Sequence, residues 1–211
     1  MGSLSKLYEY HHEKTKKTEF SILEKERGEL FSQWIGTGKK VMDIGCRDGT
    51  LTRYFTKGNE VLGVDIDPTM LESAKKRLGI RTKLMDLNDE WDVKEQFDVI
   101  VAAEVVEHLY YPDLICKKVT KHLKKGGLFI GSVPNAYNIK NRLRYLFGIQ
   151  KNTPLEDRTH INQFSYKLLK DALQKEFSKV EVMGLASGIS GKIAQMFPNL
   201  GSFILVWRCE K

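Results

Sequence analysis

The sequence predicts an α/β fold: a doubly wound, mostly parallel sheet with helices on both faces and an antiparallel pair of strands at its C-terminal end. Three observations predict it. Apolar runs of strand length alternate with helix-patterned segments through the first two thirds of the chain. Each run is apolar almost throughout, as in a strand buried on both faces. Further along, two strand-like runs follow one another without a full helix between them, which suits a hairpin at the sheet edge.

Ser21 and Glu24 have capping-box spacing, and Leu23, Leu30, Phe31, Trp34 and Ile35 then recur at helical intervals until Gly36. Residues 41–44 predict a short buried strand, and 50–57 a helix. "EVLGVDI" (60–66) is the second strand. Asp67 and Pro68 stand as N-cap and first position of a helix running to about Leu78. Residues 82–85 and "QFDVIVAAE" (96–104) give the third and fourth strands. A helix over about 112–124 follows, then "GGLFIGSVP" (126–134) as the fifth strand. A helix starts near Ser165, and "KVEVMGLA" (179–186) with "SFILVWRC" (202–209) makes the hairpin.

The 211 residues suit one domain with a real core, and 41% hydrophobic with 29% charged residues is an ordinary globular balance. No repeat or low-complexity segment points to a solenoid or a disordered chain. No apolar run reaches the roughly 18 residues of a membrane-spanning helix, and the N-terminus has no signal-peptide core. It misses a myristoylation signal because Lys6 fills the hydroxyl position. Cys46, Cys116 and Cys209 are odd in number and form no CxxC, so a reduced, cytoplasmic protein without a zinc cluster is expected. The net charge of +7 permits an anionic partner such as RNA, anionic lipid or a phosphorylated metabolite. Lys117, Lys118, Lys121, Lys124 and Lys125 are read as the solvated face of one helix.

Right-handed crossovers bring the strand C-termini to one edge, where such sheets bind ligands. Asp43, Asp65, Asp86 and Glu104 each lie at or just past a predicted strand end. One aspartate there can be a helix cap; four acids along one edge mark a binding site. "DIGCRDG" (43–49) is neither GxGxxG nor a P-loop. Its leading acid would repel a pyrophosphate and suits a cation. Gly45 and Gly49 let backbone approach a ligand without a Cβ in the way. Asp65, 22 residues after Asp43, suits a ribose diol, and Asp86 with Leu87 suits an adenine amino group and ring. An amino acid, a ribose, an adenine and a positive centre together describe S-adenosylmethionine.

At these residues the sequence resembles the class I S-adenosylmethionine-dependent methyltransferases. "VMDIGCRDGTL", "VLGVDIDPTML", "LMDLND", "FDVIVAAEVVEHL" and "LKKGGLFIGSVPN" match five of the family's motifs in order, over about Val41 to Pro134. The resemblance implies a seven-stranded sheet with six parallel strands and the last antiparallel. It implies that Asp43, Gly45, Cys46 and Gly49 surround the methionine part, that Asp65 holds the ribose and Ile66 packs on the adenine. Asp86 and Leu87 would contact the base, and Ala103 would border the same site. Arg47 and Asp48 depart from the small residues usual in that loop.

Methyl transfer is an in-line displacement in which alignment can supply roughly 7–11 kcal/mol, and an oxygen or nitrogen acceptor can also need a general base. "EVVEHL" offers Glu104, Glu107 and His108 at the end of the fourth strand, and "DRTHINQF" offers His160. Glu107, His108 and His160 are the expected catalytic residues, against the plainer reading that they cap and stiffen the following helix or sit in a loop. The style of the motifs resembles enzymes that methylate quinone precursors or saccharide hydroxyls, so a small-molecule acceptor is expected. The alternative is RNA: Glu104, Glu107, His108 and His160 also look like the metal set of enzymes that methylate the terminal 2′-hydroxyl of small RNAs. A divalent metal is compatible with that set, and no metal ligand is assigned.

The layout expected is a single domain: an N-terminal lid and helix (1–36), a cofactor-binding core (37–134), an acceptor-site insertion (135–164) and a C-terminal helix with strand hairpin (165–211). Within the insertion Ile139, Leu143, Leu146 and Phe147 alternate with Lys140, Arg142 and Arg144. A basic amphipathic helix of this kind suits a lid packed on the domain, the expected case, or a peripheral membrane contact through residues 137–149. "LYEYHH" (7–12) stands ready to close over the cofactor from the other side.

Overall fold

In a computed structural model that describes residues 3–15, 20–186, 194 and 196–211, the expected alternation is realised as a single seven-stranded sheet. Its strands are β1 (Lys40–Ile44), β2 (Glu60–Asp65), β3 (Arg81–Leu84), β4 (Phe97–Ala103), β5 (Leu123–Pro134), β6 (Lys179–Leu185) and β7 (Ile204–Glu210). The order is β3-β2-β1-β4-β5-β7-β6. All neighbours are parallel except β7, which runs antiparallel to both β5 and β6. The hairpin is therefore not simply appended: β7 inserts between β5 and β6.

The apolar runs divide by parity between the two faces. Met42, Ile44, Leu62, Val64, Ile100, Phe129 and Trp207 face α4 (Pro112–His122) and α6 (Tyr166–Leu173), which contribute Ile115, Val119, Leu169 and Leu173. Val41, Val61, Val99, Val101, Ile130 and Val206 face α2 (Glu24–Ile35) and α3 (Pro68–Leu78), which bring Phe31, Ile35 and Ala74. Asp67 caps α3 by accepting from the amides of Thr69 and Met70, as its spacing predicts.

Four expectations are corrected. Ser21 does not cap α2; Leu23 precedes the helix with no side-chain cap, and the Ser21 hydroxyl accepts from Arg27 instead. The segment 50–57 is too short and tightly turned for an α-helix and forms a 3₁₀ turn over Thr52–Phe55. The lysine face is broken up: Lys124 and Lys125 fall in β5, not α4, and Lys118 donates to the carbonyls of Leu87, Asn88 and Asp89, tying down the loop after β3. The apolar stripe of α5 (Ile139–Leu146) does not pack on the domain: Leu143 is 54% exposed, Leu146 and Phe147 75% each. The buried residue of α5 is polar Asn141.

Asn141 is buried because of a hub at Asn135. The Asn135 side-chain amide donates to Pro198 O, Asn199 O, Ser202 O and Ser202 Oγ, and its backbone carbonyl accepts from the amides of Asn138 and Asn141. One buried asparagine thus fixes the start of the insertion to the approach to β7. Leu146 of α5 and the following Phe147, with Met196 and Phe197 before β7, form exposed apolar surface on the two segments so joined.

Candidate functional site

The register of the parallel strands aligns Ile44 with Val64 and Ala102, Asp65 with Leu84, and Ala103 with Ser132. This edge carries the acids. Asp43 lies within β1, 3% exposed, and accepts the Thr52 hydroxyl at 2.6 Å. Burial pushes its carboxyl up to about 7, the Thr52 bond works the other way, and the Asp65 charge adds to the rise. Asp65 ends β2; its two carboxylate oxygens accept the Arg47 amide at 2.8 Å and the Asp67 amide at 3.0 Å. It therefore positions the loops after β1 and β2 as well as standing at the ligand edge. Asp86 accepts the Asn88 amide and side chain, both at 2.9 Å.

The loop after β1 turns at Gly45 and Gly49, whose φ angles of 73° and 79° favour glycine. The space they leave serves packing. A Cβ on Gly45 would lie 2.6 Å from Val105, and one on Gly49 2.5 Å from Leu78. The Cys46 side chain points inward, with its sulfur against Gly63, so only its backbone borders the loop. Asp48 is turned away to Arg77 at 3.2 Å, which explains how an acid is accommodated there. Ile66 is half-buried, Leu87 is in the core, and Ala103 packs at the rim of the second core cluster. An acidic, glycine-turned edge with Asp65 held by two amides fits a cationic nucleoside cofactor of the S-adenosylmethionine kind.

The catalytic candidates converge. After β4 the chain passes through Glu104, whose φ of 56° is unusual for a glutamate, into a 3₁₀ turn over Val106–His108. The loop ahead of α6 folds back on it: the Asn162 amide donates to the Glu107 carbonyl at 2.9 Å, and His108 Nδ1 lies 3.0 Å from the Thr159 carbonyl. The rings of His108 and His160 are 4.7 Å apart, edge to face. Burial, with the neighbouring His160, lowers His108 to about 4, so it is neutral at physiological pH. Glu107 is 1% exposed, and burial beside Glu104 pushes its carboxyl well above the usual range.

Glu104 stands beside Glu107 but has one oxygen engaged elsewhere. Its Oε1 accepts from Ser132 Oγ at 2.9 Å and lies 3.2 Å from Arg27 Nη1, and Arg27 is fully buried. Of the four residues that suggested an RNA acceptor, Glu107, His108 and His160 bring their polar atoms within 4.8 Å of one another.

Further residues border these candidates. α1 (Ser3–Thr15) lies across it: the Ser5 hydroxyl donates to Ile66 O at 3.1 Å, and the Tyr8 ring meets His108 edge-on at 6.1 Å. Burial and the charges of Glu107, Asp157 and Asp86 raise the Tyr8 phenol. His11 Nε2 is 3.6 Å from Asp157 Oδ2, which is itself 4.0 Å from His160 Nε2. "LYEYHH" and "DRTH" signal these segments in sequence but not that they meet. Arg27, within "EKERGEL", carries no signal at all.

A sequence profile of the methyltransferase domain matches residues 16–176. Among curated proteins, the ubiquinone biosynthesis O-methyltransferase of Nitrobacter winogradskyi is 38% identical over 104 residues, 46% of this chain and 40% of that one. The protein of the same description from Coxiella burnetii is 30% identical over 118 residues, covering 53% and 49%. The chain thus spans under half the length of these relatives. Among solved structures, a Thermotoga maritima S-adenosylmethionine-dependent methyltransferase, described as a possible histamine N-methyltransferase, superposes with a TM-score of 0.69 at 17% identity over 98% and 97% of the two chains. One from Archaeoglobus fulgidus gives 0.67 at 16% over 97% and 99%. At these identities the structural matches speak for the fold.

Proposed function

Because the chain belongs to the methyltransferase-domain family, that of the class I S-adenosylmethionine-dependent methyltransferases, we propose that it methylates a hydroxyl of a small molecule. When bound, S-adenosylmethionine supplies an electrophilic methyl on sulfur, and the leaving thioether of S-adenosylhomocysteine is neutral. Asp65 would take the ribose hydroxyls, Asp43 and the Gly45–Gly49 turn would hold the methionine part, and Ile66, Asp86 and Leu87 would hold the adenine.

The observation that carries the acceptor reading is the meeting of Glu107, His108 and His160 beside the cofactor edge. A hydroxyl acceptor must lose a proton, and Glu107, His108 and His160 are the groups of this chain that would receive or relay it. That proton leaves at this cluster, under the roof of α1. Residues 1–36 act as lid and supporting helix, 37–134 as cofactor core, 135–164 as acceptor insertion and 165–211 as the closing helix and strands. The curated relatives are named for ubiquinone biosynthesis, and a phenolic acceptor with an apolar tail suits this chain. The exposed Ile139, Leu143, Leu146 and Phe147, with Lys140 next in sequence, then meet an anionic membrane surface holding it. Among the described residues no helix is long and apolar enough to cross a membrane.

The test is methyl transfer from labelled S-adenosylmethionine to a panel of catechols, tailed phenols, saccharides and RNA. Label in a phenolic or saccharide product supports the proposal. Label confined to RNA or protein, or none transferred, overturns it.

A further inference from the structure

α1 (Ser3–Thr15) lies outside residues 16–176, which the methyltransferase-domain profile matches, so no role for it follows from that match. Its inward face is nevertheless specific. Ser5, Tyr8 and His11 are spaced by three and share one side of the helix. Each meets a different part of the site. The Ser5 hydroxyl donates to Ile66 O at 3.1 Å, beside the residues proposed for the adenine. The Tyr8 ring meets His108 edge-on at 6.1 Å. His11 Nε2 stands 3.6 Å from Asp157 Oδ2, while Asp157 Oδ1 accepts the amide and hydroxyl of Thr159 at 3.0 and 2.7 Å. Leu7 and Tyr10, on other sides of α1, are exposed, whereas Ser5 is buried. The helix is thus held at Ser5 and at His11, and Tyr8 is the side chain between these two points.

We infer that Tyr8 contacts the methyl acceptor and donates a hydrogen bond to an oxygen next to the reacting hydroxyl. The inference rests on the proposed function for the acceptor's chemistry, and on the placing of α1 for the residue. The groups that bear on the Tyr8 phenol are Glu107, Tyr110, Asp157 and Asp86. Glu107 belongs to the cluster that would receive the acceptor's proton, and Asp86 to the cofactor edge. The phenol therefore stands where acceptor and cofactor meet. Burial and the neighbouring charges keep it protonated at physiological pH, so it serves as a donor and not as a base. A donor aimed at the reacting oxygen would draw charge from the atom that must attack the methyl carbon. Aimed at the neighbouring oxygen, it leaves that atom free and fixes the acceptor's orientation. The feature recognised is a pair of oxygens on adjacent carbons, as in a catechol. A site built to hydrogen-bond an oxygen rejects the analogue that lacks it.

The test compares the full-length wild type with Tyr8→Phe, using catechol and phenol as probes. Phenylalanine keeps the ring beside His108 and removes only the hydroxyl. Binding of each probe to the S-adenosylhomocysteine complex is read by calorimetry. Tyr8→Phe should bind catechol about tenfold more weakly than wild type and phenol within about twofold, with S-adenosylhomocysteine affinity unchanged. Equal losses for both probes, no loss for either, or wild type that binds neither overturns the assignment. A matching loss of S-adenosylhomocysteine affinity also overturns it, by placing Tyr8 on the cofactor. Methyl transfer is scored separately. Catechol binding that Tyr8→Phe weakens as expected, in a chain that methylates no phenol or saccharide, supports the role of Tyr8 and overturns the proposed function. Methyl transfer to phenols or saccharides with probe binding unchanged in Tyr8→Phe does the reverse.

Discussion

Replacing Asp43 by asparagine isolates the charge inside the cofactor loop. Burial raises this carboxyl from an ordinary 3.8 to about 7. Between those values the folded protein holds a proton that the unfolded chain has released. The contribution of Asp43 to stability therefore falls as pH rises from about 4 to about 7 and is level above that. Three units at about 1.4 kcal/mol each set its size at up to about 4 kcal/mol. Asparagine keeps the shape and an oxygen to accept the Thr52 hydroxyl, but does not titrate. The assay is urea unfolding of cofactor-free wild type and Asp43→Asn between about pH 4.5 and pH 8. Taking the difference removes Glu107 and His108, which titrate in both proteins. Asp43→Asn should gain on wild type by several kcal/mol across that range. A pH-independent difference, or one that moves toward wild type as pH rises, refutes the reasoning. A cationic cofactor favours the ionised form, so its binding near pH 6 should also release a proton, visible as a buffer-dependent heat that Asp43→Asn lacks.

Asp65→Ala should weaken S-adenosylmethionine binding by at least about 100-fold, roughly 3 kcal/mol for two charge-assisted bonds. It should also lower the melting temperature, because the same carboxylate holds the Arg47 and Asp67 amides; calorimetry with thermal melts reads both, and wild-type affinity would remove Asp65 from the site. Arg27→Met should cost about 3–5 kcal/mol in urea unfolding by leaving Glu104 without its buried counter-charge; a loss under about 1 kcal/mol would show the pair to be dispensable. Leu146→Asp with Phe147→Asp should abolish sedimentation with anionic vesicles at low salt without changing the melting temperature, since both side chains are three-quarters exposed. Retained sedimentation would place the membrane contact elsewhere.

The strand segments and most of the crossover helices were legible because each strand is a dense apolar run and most crossovers carry their own punctuation, as Asp67–Pro68 and Gly79 do for α3; the order of the strands was not. The acids at the strand ends were legible for the same reason, since their places follow from the strands. Capping at Ser21 was misread because spacing alone cannot show that Arg27 would claim the hydroxyl. The glycines were recognised as a turn, but what fills the space beside them, Val105 and Leu78, is a tertiary fact. The roof of α1 and the return of His160 to His108 depend on contacts across more than fifty positions, on which periodicity says nothing. The exposed stripe on α5 read as packed because an apolar periodicity is the same whether its face meets protein or lipid.

The place of β7 between β5 and β6 bears on how the chain acquires its shape during synthesis. While the ribosome has not yet released residues 204–210, the parallel strands can assemble, but β5 is left as an open edge and β6 has no neighbour to pair with. An open edge of this kind is a template for pairing with other chains. The Asn135 side chain likewise lacks its partners at Pro198, Asn199 and Ser202 until that part of the chain is made, so the start of the insertion gains this anchor late. A nascent chain stalled before Ile204 would carry β5 as an open edge, and β7 is what closes it and gives β6 its partner.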